Sequence, residues 1–348
     1  MSAVPSAPPG YALQGLIGHG SLASVYKGTQ ISIGRPVAIK VIRRERLDRQ
    51  PMAAPRFRRE AQLQGHLIHP NVVVLFDFLE SVEGLFMVQE YVTGLTLSDY
   101  IRRVSGPIPA ADALPMFRQL LAGVGAAHKK LNVVHRDLKP SNILVSQRKK
   151  QIKVTDFGIA TAVNNTRGIV QRRQGDSLRY RAPEQLGPGG VDSRADIYAL
   201  GVIFFEMLTG QRLWAQGIPS RSAKTLTDTI CRRRPPDPRQ LYPHIPERFA
   251  MATLKALLKS PSARFATCAD FARALDEDNT SRAWWPTSAE LEAPASGPTA
   301  EFRTFEQTVV HCPRCGQPAR VPSDLPHIRV HCPNPQCGHR YNYRPGSL

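Results

Sequence analysis

The sequence predicts an α+β architecture: a small antiparallel strand-rich lobe, a larger mainly helical lobe, and a short cysteine-clamped end. Three observations predict it. Apolar and polar residues alternate from Tyr11 to about Val41, as in strands with one buried face. From Leu114 onward the pattern turns mostly helical, most densely in DIYALGVIFFEMLTG (196–210), apolar enough all round to be a buried helix. Four of the six cysteines fall between Cys312 and Cys337 at metal-ligand spacing. Strands first and helices afterwards separate into unlike lobes instead of alternating in one layered sheet.

Composition sets the bounds. A chain of 348 residues is longer than a typical single domain. Its 42% hydrophobic and 21% charged residues are ordinary for a globular protein and exclude wholesale disorder. The formal net charge of +18 permits attraction to nucleic acid, anionic membrane or acidic protein, and is equally compatible with a solvated basic surface. The start MSAVPSAPPG lacks the basic and apolar regions of a signal peptide, and no run of about eighteen or more apolar residues follows. The expectation is a cytoplasmic protein with no transmembrane segment. Cys231 and Cys268 are isolated, unlike the cysteines of a secreted disulfide scaffold.

In chain order, residues 1–10 are expected to be disordered. YALQGLIGHGSLASVYKGTQ and RPVAIKVI then read as strands joined by glycine-rich turns, PRFRREAQLQGHL as a helix, and NVVVLFDFLE and GLFMVQEYV as further strands. The main folded unit should span 11–275. From Asp276 to Thr308 the character shifts to Ala, Pro, Ser, Thr and Glu, with seven acidic residues against Arg282 and Arg303, the composition of a linker. Trp284 and Trp285 interrupt it and are expected to dock it onto the large domain. Residues 309–348 form the terminal module.

Chemistry concentrates in a few motifs. IGHGSLASV (Ile17, Gly18, His19, Gly20, Ser21, Leu22, Ala23, Ser24, Val25) lies between two predicted strands, and a glycine-rich hairpin lets backbone amides lie close over a triphosphate. VAIK follows, placing Lys40 on a strand where it could hold phosphates if a carboxylate fixed it; Glu60 on the next helix is the candidate. VVHRDLKPSNILV gathers Asp137, Lys139 and Asn142 on one loop, with Asp156 fourteen residues after Asn142. Phosphoryl transfer needs charge neutralisation, alignment and a carboxylate to orient the attacking hydroxyl. Asn142 and Asp156 can hold Mg²⁺, Lys139 can neutralise the transferred phosphate, and Asp137 can accept the hydroxyl proton.

In this order GHGSLASV, VAIK, Glu60, HPN, HRDLKPSN, DFG, APE and DIYALG resemble the eukaryotic-like protein kinase family over roughly residues 11–275. The resemblance implies a bilobed protein kinase fold that uses ATP and Mg²⁺, with Mn²⁺ as an alternative metal. Lys139, two residues after Asp137, is similar to serine/threonine rather than tyrosine kinases, and APEQ and DIYALGVIFFEMLTG resemble bacterial members. It further implies that Lys40, Glu60, Asp137 and Lys139 are catalytic. Val25 and Ala38 would cover the adenine ring, with Leu144 beneath it. Glu90 and Val92 would offer hinge backbone groups, and Gln89 would stand as gatekeeper. Glu184 and Arg264 would form a buried ion pair, Asp196 would hold the catalytic-loop backbone, and Ser177 would contact that loop.

Two positions depart from the family pattern. Ala23 replaces a usual third glycine, costing loop freedom. Gln64, four residues after Glu60, replaces an apolar residue that usually contacts Phe157, so looser docking of that helix is expected. The segment between Asp156 and Glu184 is rich in arginine and carries Thr161, Thr166 and Ser177; Thr166 is the candidate autophosphorylation site, to be read by Arg136. The acidic linker could lie across this basic segment and restrain activity.

Cys312 and Cys315 form CxxC, and Cys332 and Cys337 form CxxxxC, with sixteen residues between the pairs. Four thiolates on two turns can close a tetrahedron around a structural Zn²⁺, and so short a segment has too little core to fold unaided. The module resembles a zinc ribbon. His311, His331 and His339 are adjacent and could replace a thiolate, but four cysteines already complete the site, so the histidines are read as lying outside the ligand set. Protein docking is the preferred role for the tail. Nucleic acid is the alternative target, suggested by five arginines against Asp324 alone, with Tyr341 and Tyr343 nearby. The expected function is transfer of the ATP γ-phosphate to protein Ser/Thr hydroxyls. The alternatives are a weakly active kinase-like scaffold whose nucleotide state governs tail binding and, less favoured, a small-molecule kinase.

Overall fold

The computed structural model describes residues 5–20, 22–104, 106–147, 150–157, 176–187, 190–214, 223–276, 282–291, 307–322, 328–332, 337 and 339–343. The first lobe is a sheet of β1 (Tyr11–His19), β2 (Ser24–Gln30), β3 (Arg35–Arg43), β4 (Leu75–Ser81) and β5 (Gly84–Glu90), with α1 (Arg44–Arg49) and α2 (Ala53–Gly65) inserted after β3. Its order is β1-β2-β3-β5-β4, antiparallel throughout. Alternation along β3 sorts the side chains. Val37, Ile39 and Val41 join Tyr11, Tyr26, Phe86 and Val88 on one face. Ile42 turns to the other face, where Leu85 and Met87 meet Phe57 and Ala61 of α2. Lys40 shares that second face because strand side chains repeat every two residues.

The second lobe begins with β6 (Gly94–Thr96), α3 (Leu97–Val104) and α4 (Ala110–Leu131). β7 (Ile143–Ser146) and β8 (Ile152–Val154) complete a three-stranded sheet, β6-β7-β8. α5 (Arg194–Thr209), α6 (Ala223–Arg232), α7 (Pro238–Leu241), α8 (Glu247–Ala256) and α9 (Cys268–Ala274) follow. α5 is buried from Ala195 to Thr209 and forms the axis of the lobe. Phe204 stacks on Phe117 of α4 at 4.1 Å between ring centroids, and Phe271 of α9 meets Phe117 edge-on at 5.2 Å. Gly210 ends α5 at φ +66°, with a hypothetical Cβ only 2.6 Å from the Gly106 carbonyl carbon, so both conformation and space demand glycine there.

The linker's tryptophans dock as expected. Trp284 packs on the large core, 5.9 Å from the Phe265 ring, Trp285 meets Trp284 at 6.2 Å, and Arg282 lies over the Trp285 ring at 4.4 Å. A short α10 (Ser288–Leu291) follows. Whether the acidic linker crosses the basic segment falls on residues 158–175 and 292–306, outside the described residues. The tail is two antiparallel hairpins, β9 (Gln307–His311) with β10 (Pro318–Pro322) and β11 (Ile328–His331) with β12 (Arg340–Tyr343). Among the described residues no helix is long and apolar enough to cross a membrane.

Candidate active site

Lys40 is 5% exposed, and its ammonium donates to Glu60 Oε1 at 2.7 Å and to Asp156 Oδ1 at 2.8 Å. Three elements meet there: β3, α2 and the turn after β8. Burial pushes the Glu60 carboxyl up to about 7, against the pull of Lys40; its second oxygen is buried without a hydrogen-bond donor among the described residues. Burial would likewise push Asp156 up, but the Lys40 charge and hydrogen bond outweigh it and hold that carboxyl below its ordinary value. Desolvation disfavours the Lys40 ammonium, yet the two carboxylates prevail and raise its pKa.

From Asp156 the site continues through backbone contacts. Thr155 N donates to Asn142 O at 3.0 Å, and Asn142 Nδ2 donates to Asp137 O at 2.9 Å. Asp137 Oδ2 accepts from Lys139 Nζ at 2.9 Å and Oδ1 from Ser177 Oγ at 2.5 Å. Lys40, Asp156, Asn142, Asp137 and Lys139 are therefore brought together by one connected chain of bonds.

The loop carrying Asp137 is held from beneath. Asp196, 1% exposed, accepts from His135 N at 2.7 Å, Arg136 N at 2.9 Å and His128 Nε2 at 2.7 Å. Arg136 sits at φ +63° and Asp156 at φ +64°, left-handed conformations that non-glycine residues keep only where surrounding bonds impose them. Phe157 is fully buried, 4.8 Å from the His135 ring. Below, Arg264 forks onto Glu184 at 2.7 and 2.9 Å while donating to the carbonyls of Leu258, Lys259 and Arg194, so the buried guanidinium is fully paired.

The residues expected around a nucleotide come from the first lobe and the segment after it, with Leu144 on β7 of the second. Gly18 pairs with Val25 and His19 with Ser24 across the β1–β2 hairpin, closed by Gly20 N donating to Ala23 O at 2.8 Å. Ile17 is 51% exposed on β1. Ala38 stands between Lys27 and Gln89 in the sheet, and Leu144 on β7 pairs with Lys153. Glu90 and Val92 are half-buried. Ser21, Thr161 and Thr166 lie outside the described residues.

One expectation is corrected. Gln64 does not loosen α2: it is 1% exposed, donates to Val73 O at 2.9 Å and accepts from Gln89 Nε2 at 3.0 Å, while the Lys40–Glu60 pair is closed. The hydrogen bonds substitute for the missing apolar contact. Ala23 is 9% exposed and packs in the cluster of Ile42, Leu47 and Phe57.

Sequence reasoning missed three further contacts. The Glu90 carboxylate is taken by Lys153 on β8 at 2.8 Å. Gln185 donates to Arg136 O at 2.9 Å and accepts from Ala182 N at 2.9 Å, tying the APEQ turn to the loop that carries Asp137. Cys268 Sγ lies 3.8 Å from His128 Nδ1. No periodicity signals such pairs; they join polar residues distant in sequence.

In the tail, the sulfurs of Cys312, Cys315, Cys332 and Cys337 all lie within 4.8 Å of one another. The Cys312–Cys337 and Cys315–Cys332 separations are 3.8 and 3.4 Å, too long for disulfides. Thiolates about 2.3 Å from a tetrahedral Zn²⁺ stand about 3.8 Å apart, so the donor set and its spacing fit that ion. Gly316, at φ +72°, donates to Cys312 O at 2.8 Å and closes the first turn.

Comparison with known proteins agrees with this geometry. The family described as protein kinase domain matches residues 11–281. Serine/threonine-protein kinase PrkC of Bacillus subtilis (strain 168) is 37% identical over 274 residues, covering 77% of this chain and 41% of that protein. Serine/threonine-protein kinase PknB of Mycobacterium leprae (strain TN) is 33% identical over 275 residues, covering 78% and 43%. The chain thus spans about two-fifths of the length of these curated relatives. The crystal structure of the Mycobacterium tuberculosis PknI kinase domain superposes with a TM-score of 0.61 at 24% identity, covering 79% of this chain and 98% of that one, which establishes the bilobed fold. The chain belongs to the protein kinase family, and its relatives are bacterial serine/threonine kinases.

Proposed function

We propose that this chain is a serine/threonine protein kinase that transfers the ATP γ-phosphate to protein hydroxyls. The observation that carries the reading is the Lys40–Glu60–Asp156 cluster joined through Thr155 and Asn142 to Asp137. Lys40, fixed by Glu60, holds the α and β phosphates. Asp137, flanked by Lys139 and Ser177, orients the substrate hydroxyl and accepts its proton. Lys139 neutralises charge on the phosphate in transit. Asn142 and Asp156 are the residues that would hold Mg²⁺, which supplies charge neutralisation across the phosphates. The hairpin Ile17–Val25 covers the nucleotide with Ala38 and Leu144 on either side of adenine, and the backbone of Glu90 and Val92 reads its edge. Thr166 is the proposed autophosphorylation site; its partner is Arg136, whose Nε is buried without a hydrogen-bond partner among the described residues.

Radiolabelled ATP with a generic basic protein tests the activity. Wild type should label serine and threonine, and Asp137→Asn should not. Equal labelling by both would remove Asp137 from the chemistry. A weakly active scaffold would draw on the two departures from the family pattern, Ala23 and Gln64, yet the Lys40–Glu60 pair is closed with both in place.

The tail is proposed to be a zinc ribbon closed by Cys312, Cys315, Cys332 and Cys337, serving as a protein-docking module tethered to the kinase domain. A cytoplasmic location is proposed with it. Salt-sensitive binding of nucleic acid to the full chain, lost on Cys312→Ser, would instead favour the nucleic-acid role.

A further inference from the structure

Gln64 and Gln89 are buried polar side chains on different elements, and each is a poor choice for an apolar core unless the pairing matters. Gln64 sits in the last turn of α2, one turn beyond Glu60. Gln89 sits on β5 beside Ala38, at 5% exposure. Gln89 Nε2 donates to Gln64 Oε1 at 3.0 Å, and Gln64 Nε2 donates to Val73 O at 2.9 Å. The path continues, because Val73 N donates to Val154 O at 2.9 Å and Val154 stands two residues before Asp156. One run of amide contacts thus connects the strand entering the interlobe hinge, the helix bearing Glu60 and the strand leading to Asp156.

We propose that the Gln64–Gln89 amide pair is a latch that positions α2 against β5 and β8, so that Glu60 reaches Lys40. The latch rests on the kinase reading for its catalytic consequence, not for its existence. Neither glutamine touches the reacting atoms; both are positioning residues. An amide deprived of its partner in this dry setting is penalised more than an apolar side chain of similar size, so the two glutamines depend on each other. Leucine at position 64 leaves Gln89 Nε2 with only the weak acceptor Met87 Sδ at 3.1 Å and removes the donor to Val73 O, and leucine at position 89 takes the donor from Gln64 Oε1; either change loosens α2. Once Gln64 is gone, replacing Gln89 removes a poorly paired amide instead of stranding a partner.

The test is a double-mutant cycle in the full chain, with Gln64→Leu, Gln89→Leu and both together, read by kcat at saturating ATP and by hydrogen exchange of residues 53–65. Gln89→Leu should lower kcat about fivefold in the wild-type background and not at all, or the reverse, in the Gln64→Leu background. Exchange of α2 should quicken in each single variant, and adding Gln89→Leu to Gln64→Leu should quicken it no further. The same factor for Gln89→Leu in both backgrounds, or unaltered α2 exchange in both single variants, overturns the latch. A wild type that transfers no phosphate defeats the kinase reading, while the exchange cycle still decides whether the latch exists.

Discussion

Replacing Asp196 by Asn is an isosteric change beneath the loop that carries Asp137, and its effect can be worked out from the bonds it makes. The Asp196 carboxylate accepts from two backbone amides and the His128 ring, all between 2.7 and 2.9 Å, at 1% exposure. Asparagine must set an NH₂ group where one oxygen stood, facing at least one of those donors. The bond lost was charge-assisted, contributing about 1.5–3 kcal/mol, and the others weaken as the charge disappears. Destabilisation of roughly 3–4 kcal/mol follows, which a domain stable by about 5–15 kcal/mol survives. The amide of Arg136 is among the three, and its left-handed backbone carries a cost of about 1–3 kcal/mol that these bonds offset. Loosening it shifts Asp137, the next residue, so kcat should fall at least about tenfold, equal to 1.4 kcal/mol of lost transition-state stabilisation. Urea denaturation and steady-state phosphotransfer at saturating ATP measure both effects. Lower stability with unchanged kcat would refute the idea that this anchor positions Asp137.

Other perturbations separate the remaining parts of the account. Arg264→Met strands the Glu184 carboxylate in a nearly closed site and should cost about 3–5 kcal/mol by denaturation; a loss under about 1 kcal/mol would mean the fork contributes little. Glu60 has a raised pKa, so the folded protein holds that proton more tightly than the unfolded chain: its contribution to stability is full below 4.5 and is withdrawn as pH rises through about 7. Activity should move the opposite way, because the ionised carboxylate holds Lys40. The pH profile of kcat/KM should show a limb near 7 that Glu60→Gln lacks, and persistence of the limb in that variant would assign it to another group. Purified protein should carry one Zn²⁺ by elemental analysis, and Cys312→Ser should lose it with exchange protection of the tail hairpins while the kinase lobes stay folded. Equal metal content in both would dismiss the four-thiol site.

The legible parts of the fold were those fixed by short-range periodicity. Alternation in RPVAIKVI put Lys40 on the face opposite Val37, Ile39 and Val41, and helical spacing put Glu60 beside Phe57 and Ala61 on the face that meets it. Family motifs then anticipated the contacts of Ser177, Asp196 and the Glu184–Arg264 fork. What stayed hidden depends on distant polar residues choosing one another. Gln64 looked like a flaw because an apolar residue was expected; the compensating Gln89 lies twenty-five positions on and carries no local sign of the pairing. Lys153 reads as a surface charge within IKV, yet it is 8% exposed and bound to Glu90. The packing of the Ala23 methyl group in the core carries no sign in the motif itself. In the tail the cysteine spacing was plain, but nothing in it announced that each pair would sit on its own hairpin.

The most direct measurement is a crystal structure of the full chain with Mg²⁺ and a non-hydrolysable ATP analogue. Oxygens of Asn142 and Asp156 should lie about 2.1 Å from the magnesium ion. The Lys40 ammonium should lie on the α and β phosphates, with Glu60 still paired to it. A nucleotide bound elsewhere, or a metal held without Asp156, would contradict the kinase reading.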